Sequence, residues 1–233
     1  MSEHIVTSFD AELEFLRSKI AEMGGIAEKM LDDSTRALVR RDVALARQVI
    51  DADTRLDGLQ REIEEHAVGT IARRQPVAID LREIVSAIRV AGDVERIGDL
   101  AKNTSKRVLA ISNEAHPAKI VGGVQHMSDL VQAQLKDVLD AYAQRDERKA
   151  LDVWGKDDRI DALYNSVFRE LLTYMMEDTR NITFCTHLLF LAKNIERIGD
   201  HTTNIAETIY YLTTGETLAG ERPKGDTTSF ATA

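Results

Sequence analysis

The residues with the clearest chemical potential come in a repeated pattern. Glu95-Arg96-Ile97-Gly98-Asp99 recurs letter for letter, 101 positions later, as Glu196-Arg197-Ile198-Gly199-Asp200. An asparagine stands four residues beyond each copy, Asn103 and Asn204. On a helix, residues at i, i+4 and i+8 share one strip. Two carboxylates at i, i+4 repel by roughly 0.2–0.5 kcal/mol on an exposed helix. A bound cation is the first candidate to offset that cost in both copies.

A second acidic pair accompanies each motif. With a shift of 104 positions, Ala37, Arg41, Asp42, Ala46, Val49, Asp53, Arg55, Asp57 and Leu59 match Ala141, Arg145, Asp146, Ala150, Val153, Asp157, Arg159, Asp161 and Leu163. Asp53/Asp57 and Asp157/Asp161 are again i, i+4 pairs. Residues equidistant from the turn of an antiparallel hairpin lie at equal height. The midpoint of Asp57 and Glu95 is Pro76, and that of Asp161 and Glu196 falls at 178–179, both at expected turns. Asp57 is therefore expected to face Glu95, and Asp53 to face Asp99; Asp161 should face Glu196, and Asp157 should face Asp200. Four carboxylates at close range stay ionised only with a cation or ample water. An all-oxygen set suits magnesium, manganese, calcium or ferric iron, with zinc more at home on nitrogen or sulfur. The asparagines could add carbonyl oxygens, and equal height places Glu28 of the first helix near the first set, where the second half offers Gln132 and Gln134. The plainer alternative is a solvated acidic face, or neutralisation by Arg96 and Arg197, which point to a different face of the helix. Gly98 and Gly199 each cost roughly 1 kcal/mol inside a helix, which points to a close backbone approach or an access path.

Long helices are needed to position these strips. Apolar residues at steps of three and four predict a helix from about Ser8 to Arg40, interrupted in pattern by Gly24-Gly25. Asp42 is the expected N-cap of a second helix to Arg74, which Pro76 ends. A third runs from Asp80 to Ser112, and Asn113 to Gly123 reads as a linker. The pattern then restarts with Met127–Tyr142, a fifth helix from the Asp146 cap to Met176, a turn at Glu177–Asn181, and a sixth helix from Ile182 to Thr213 stopped by Gly215. The expected architecture is all-α: two tandem three-helix bundles at 1–113 and 114–215, and a disordered tail at 216–233.

Composition agrees with that class. Aromatic residues make up 5% of the chain and there are three prolines, which favours helices over sheets. The net charge of −9 argues against nucleic acid as a partner and suits cations or basic proteins. The single cysteine, Cys185, excludes an internal disulfide and fits a reducing cytosol. No signal pattern and no transmembrane segment is expected, so the protein is expected to be cytoplasmic, with peripheral attachment to a membrane complex left open. His201 follows Asp200 and reads as an exposed or hydrogen-bonded side chain. Trp154, Tyr210 and Tyr211 read as packing residues, and Cys185 as a buried thiol. The Glu-x-x-His pairs of carboxylate-bridged oxidases are missing, as is a P-loop, so neither that enzyme class nor ATP binding by that route is expected.

The segment Ile71-Ala72-Arg73-Arg74-Gln75-Pro76-Val77-Ala78-Ile79-Asp80-Leu81-Arg82, with Glu95–Asp99 and Glu196-Arg197-Ile198-Gly199-Asp200-His201, resembles the PhoU family over nearly the whole chain except the tail. That resemblance implies tandem three-helix bundles, a cytoplasmic and often dimeric protein, and negative regulation of the phosphate-starvation response. It implies as partners the ATPase subunit of the phosphate ABC transporter and the phosphate sensor histidine kinase, with a homodimer. It also implies multinuclear metal on Asp53, Asp57, Glu95, Asp99, Asp157, Asp161, Glu196 and Asp200: iron first, then manganese, magnesium or zinc. Here the helix-two pairs begin with aspartate where the family has glutamate. The alternative function is a metal-binding helical scaffold in phosphate or metal homeostasis without kinase control.

Overall fold

The computed structural model describes residues 2–114 and 119–218. The first half is three helices, α1 (Ser2–Arg40), α2 (Val43–Arg74) and α3 (Ala78–Ile111). The second half is α4 (Lys119–Gln144), α5 (Glu147–Trp154), α6 (Asp157–Glu177) and α7 (Ile182–Thr214). No strand occurs among the described residues. The chain is therefore all-α, with a three-helix bundle built twice.

The duplicated turn explains why both halves begin alike. Asp42 accepts a hydrogen bond from the Leu45 amide at 2.9 Å, and Asp146 accepts one from the Lys149 amide at 3.0 Å. Each satisfies a helix N-terminal donor that would otherwise lack a partner. The arginine before each cap, Arg41 or Arg145, has φ near 55°, at 56° and 53°. The α2–α3 turn uses Gln75 at φ 50° before Pro76, which cannot continue the helix. Gly215 at φ 82° ends α7, in the left-handed region that glycine adopts without strain.

Three boundaries differ from expectation. The fifth helix is two helices, α5 and α6, because Gly155-Lys156 breaks it where Asp51-Ala52 continue α2 in the first half. Glycine is a poor helix former, and the Gly155 amide turns back to the carbonyls of Leu151 and Val153. The predicted linker is shorter, since Gly122 and Gly123 already lie in α4; residues 115–118 fall outside the described residues. Gly24-Gly25 leaves α1 continuous, and a Cβ on Gly24 would stand 2.9 Å from Leu139 Cδ1, so α4 passes close at that point. Of the tail predicted to be disordered, residues 219–233 lie outside the described residues.

The halves pack along α3 and α7, which run antiparallel. Arg89 lies over Tyr211, Asp93 meets His201, and Arg107 lies over Phe190, so numbers rise on α3 as they fall on α7. The α1–α4 contact is likewise antiparallel: Thr35 meets Ser128 at 2.6 Å, and Gln132 Nε2 donates to the Glu28 carbonyl at 3.1 Å. Buried Glu83 of α3 joins Arg17 of α1 to Arg145 of the α4–α5 turn. One apolar core runs through both halves, from Leu16, Ile20 and Met23 to Leu188, Ile195 and Ile209.

Candidate metal centre

On the α2–α3 hairpin the carboxylates meet at the predicted heights. Lys102 Nζ donates to Asp53 Oδ2 at 2.6 Å and also to Asp99 Oδ1, so one ammonium is shared by facing carboxylates of two helices. Burial pulls the Lys102 ammonium toward neutrality, but its hydrogen bonds to Asp53 and Asp99 outweigh this and the net shift is upward. Burial raises the Glu95 carboxyl; Arg96 opposes this, and the nearby Asp99, Asp57 and Asp53 add to it. Arg96 reaches back to both carboxylates of its motif, with Nε 3.5 Å from Glu95 and Nη1 3.5 Å from Asp99. The expectation that an adjacent arginine points away is thus corrected: its long, exposed arm curls over the strip.

The second strip is drier. Asp157, Asp161 and Glu196 are 2%, 5% and 4% exposed, whereas in the first strip only Asp53, at 8%, is buried. The break at Gly155-Lys156 makes Asp157 the first residue of α6, where the helix N-terminus favours negative charge. Thr203 occupies the position of Lys102, and its hydroxyl donates to Asp157 Oδ1 at 3.0 Å. Lys193 of α7 supplies the ammonium here, 2.7 Å from Glu196 Oε1 and 5.0 Å from the ring centroid of Tyr164 on α6. Glu196 Oε2 is buried with no hydrogen-bond partner. Burial raises the Glu196 carboxyl; Lys193 opposes this, and Asp200 and Asp161 reinforce it.

The glycines of the two motifs do the same work in both halves. A Cβ on Gly98 would run into Leu56 Cδ2, and one on Gly199 would stand 2.9 Å from Ile160 Cδ1. Leu56 and Ile160 are equivalent positions one turn along from the first aspartate of each pair. The missing side chain therefore brings the two acidic helices close together.

Other expected contributors point elsewhere. Glu28 faces α4, where burial and Asp140 raise its carboxyl against the pull of Lys136, because α1 presents that face to the second half. Gln132 is spent on the Glu28 carbonyl, and Gln134 lies 3.5 Å from the Thr202 hydroxyl. Asn204 donates across the interface to Asp93 Oδ1 at 3.3 Å, on the oxygen that also meets His201 Nδ1 at 2.8 Å. Trp154 packs against the core and donates to Glu207 at 3.0 Å, and Cys185 is a buried thiol. A cleft of about 660 Å³, lined by Arg89, Asp93, Glu95, Arg96, Trp154 and Tyr211, opens between the halves.

Among the described residues, no three histidine, cysteine or carboxylate side chains converge as a preformed metal cage. The donor sets nevertheless separate on one test. Glu196 Oε2 is a buried acceptor of the kind a cation fills, in a strip of hard oxygen donors that suits iron, manganese or magnesium. Between Asp53 and Asp99 an ammonium already fills that place.

Comparison with known proteins agrees with the duplicated architecture. The family model described as PhoU domain matches twice, over residues 20–108 and 124–209. A protein of Rhizobium meliloti named phosphate-specific transport system accessory protein PhoU homolog is 60% identical over 97% of this chain and 95% of its own length. A Caulobacter vibrioides protein of the same name is 50% identical over 98% of this chain and all of its own. The crystal structure of PhoU from Pseudomonas aeruginosa superposes with a TM-score of 0.86 at 40% identity, covering 89% of this chain and 100% of that one. That of the phosphate transport system regulatory protein PhoU from Streptococcus pneumoniae gives 0.83 at 28% identity, covering 90% and 99%. With both acidic strips inside the matched repeats, this chain belongs to the PhoU family.

Proposed function

We propose that this protein is a regulator of phosphate uptake and signalling, which keeps the phosphate-starvation response off while phosphate is plentiful. It does so by coupling the ATPase subunit of the phosphate ABC transporter to the phosphate sensor histidine kinase, at the cytoplasmic side of the membrane. The observation that carries this reading is full-length similarity, at 60% identity, to a phosphate transport accessory protein. No described helix is long and apolar enough to cross a membrane, so attachment to a transporter would be through protein contacts. The acidic surface and long helical faces suit docking to basic patches on partners, and a homodimer is part of the reading. The role is that of an adaptor, not an enzyme.

The acidic strips hold multinuclear metal in this reading, iron first, with manganese, magnesium or zinc as alternatives. Metal would be gathered by the aspartate and glutamate arms of neighbouring helices, and would tie α6 to α7 across their shared groove. Deletion of the gene tests the regulatory role: a phosphate-responsive promoter should stay on in high phosphate and be silenced by the wild-type copy. Unchanged expression would remove the repressor role and leave the scaffold alternative. Capture of the transporter ATPase and the kinase from a crosslinked cell, each lost without the other, separates a coupling role from attachment to one partner.

A further inference from the structure

The cleft between the halves gathers groups that the acidic strips do not use. Along α7, Glu207, Tyr211 and Gly215 follow one another at four-residue steps, so they share a face and climb roughly 6 Å at a time. Each meets a side chain from another helix. Trp154 of α5 donates its indole N–H to Glu207 Oε1 at 3.0 Å. The Arg89 guanidinium of α3 lies 5.2 Å from the centroid of the Tyr211 ring. Arg82 of α3 stands against Gly215, where a Cβ would run into its Nη1. The cleft encloses about 660 Å³, within the size range of ligand pockets, and Arg89, Trp154, Glu207 and Tyr211 line it.

Its charged groups divide into those already satisfied and those with capacity left. Asp93 meets His201 and accepts from Asn204, and Glu95 pairs with Arg96. Glu207 receives the Trp154 N–H on one oxygen and keeps the other for a further donor. Arg82 and Arg89 form no ion pair among the described residues. Stacking on Tyr211 fixes the plane of the Arg89 guanidinium and leaves its edge to make paired hydrogen bonds with an anion. A plain anion would be repelled by Glu207, and a plain cation by Arg82 and Arg89. A ligand with N–H donors at one end and negative charge at the other suits both. The duplication did not make this set: Arg89, Trp154, Glu207 and Tyr211 have Phe190, Ile50, Lys106 and Ala110 at the duplicate positions. The site therefore occurs once, unlike the acidic strips.

We propose that this cleft binds a free nucleoside diphosphate with an amino-bearing base. The base lies against the half-buried Trp154 indole and its exocyclic amine donates to Glu207; the phosphates run past Tyr211 to Arg89 and Arg82. Glu207 to Gly215 spans roughly 12 Å along α7, room for a base, a ribose and two phosphates laid along the groove. Stacking on an indole accepts any base through its π-face, so the choice among bases falls to Glu207. A carboxylate accepts from the amines of adenine, cytosine and guanine, and meets a carbonyl oxygen at the corresponding edge of uracil. The phosphates are held by guanidinium forks, which needs no P-loop. The net charge of −9 disfavours a polynucleotide in the same place.

Trp154 is the sole tryptophan of the chain, so its fluorescence reports on the cleft. Purified full-length protein is titrated with ADP, UDP and inorganic phosphate, with a chelator present so that the result is independent of metal on the acidic strips. ADP should quench Trp154 saturably, and UDP and inorganic phosphate should each bind weaker by about tenfold or more. Arg89→Gln should weaken ADP by about tenfold, with Arg89→Lys restoring part of the loss. Arg107→Gln, at the other arginine–aromatic pair, should bind as wild type does. Glu207→Gln, whose amide both accepts and donates, should bring UDP level with ADP. Equilibrium dialysis with labelled ADP repeats the comparison without the fluorophore, and circular dichroism checks that each variant is folded. If Arg89→Gln does not fold, Arg89→Lys and Glu207→Gln carry the test. A quench that never saturates, inorganic phosphate bound as tightly as ADP, or ADP affinity unmoved at Arg89 would overturn the site. UDP bound by wild type as tightly as ADP would overturn the assignment of the base to Glu207.

Discussion

The first and second acidic strips hold the same residue types at the same helical spacing, yet they reach charge balance by opposite routes. In the α2–α3 groove the balance is internal, from Lys102 between Asp53 and Asp99 with Arg96 over the rim. In the α6–α7 groove the carboxylates are more deeply buried, Lys193 meets Glu196 with its ammonium over the Tyr164 ring, and one oxygen of Glu196 has no hydrogen-bond partner. The comparison shows that one acidic motif can be neutralised from different positions on the helix. The lysine stands three residues after the motif's aspartate in the first half and three before its glutamate in the second.

That contrast can be broken most strongly at Lys102. Lys102→Met leaves two facing aspartates without their shared partner, and should cost about 2–3 kcal/mol in metal-free protein, below the roughly 3–5 kcal/mol of a fully buried ion pair because Asp99 is part-exposed. Urea unfolding of the chelated protein measures this, and adding Asp99→Asn should recover part of the loss. The motif glycines give a smaller contrast. Gly98→Ala pushes a methyl into Leu56, which is fully buried, and should cost about 1–2 kcal/mol net of the better helix propensity of alanine. Gly199→Ala meets the tip of Ile160 at 2.9 Å and should cost less, so the two melting curves should separate in that order.

Glu196 supplies a change of opposite sign. Its carboxyl is raised in the folded state, so its favourable contribution is present below its unfolded value and lost as pH rises through the folded value. At neutral pH the ionised form is therefore a burden on metal-free protein. Glu196→Gln should stabilise the chelated protein by about 1 kcal/mol at pH 7, with the gain vanishing below the ordinary glutamate value of 4.5. Glu95→Gln should show a smaller gain, since Glu95 is less buried and has Arg96 beside it. Thermal melts across that pH range check both. The smallest effect is expected at the interface: His201→Leu, which installs the residue found at the duplicate position Leu100, removes the Asp93 contact and should cost about 0.5–1 kcal/mol.

Much of this was legible before any coordinates. The Asp42 and Asp146 caps, the Pro76 turn and the Gly215 stop are local signals, and the chain obeys them because orphan amides and φ restrictions act within a few residues. Counting heights from the turn was enough to set Asp53 opposite Asp99. Lys102 lies at i+3 from Asp99, on the same face as the motif, a spacing that an i+4 pattern does not cover. Thr203 stands at its duplicate position, so that difference between the halves is present in the sequence. Glu28, Asn204 and the Asp93–His201 contact were beyond reach for a different reason. They depend on how α1 meets α4 and α3 meets α7, and the packing of one bundle on another is not written in the spacing of either. The break at Gly155-Lys156 had a visible glycine, but the duplicated helix α2 argued for continuity there.

Crystals of the wild-type protein grown with Mn²⁺, measured on both sides of the manganese absorption edge, put the metal reading to its most direct test. Anomalous peaks are expected beside the two acidic strips, at Asp53, Asp57, Glu95 and Asp99 and at Asp157, Asp161, Glu196 and Asp200. No peak beside either strip would contradict it.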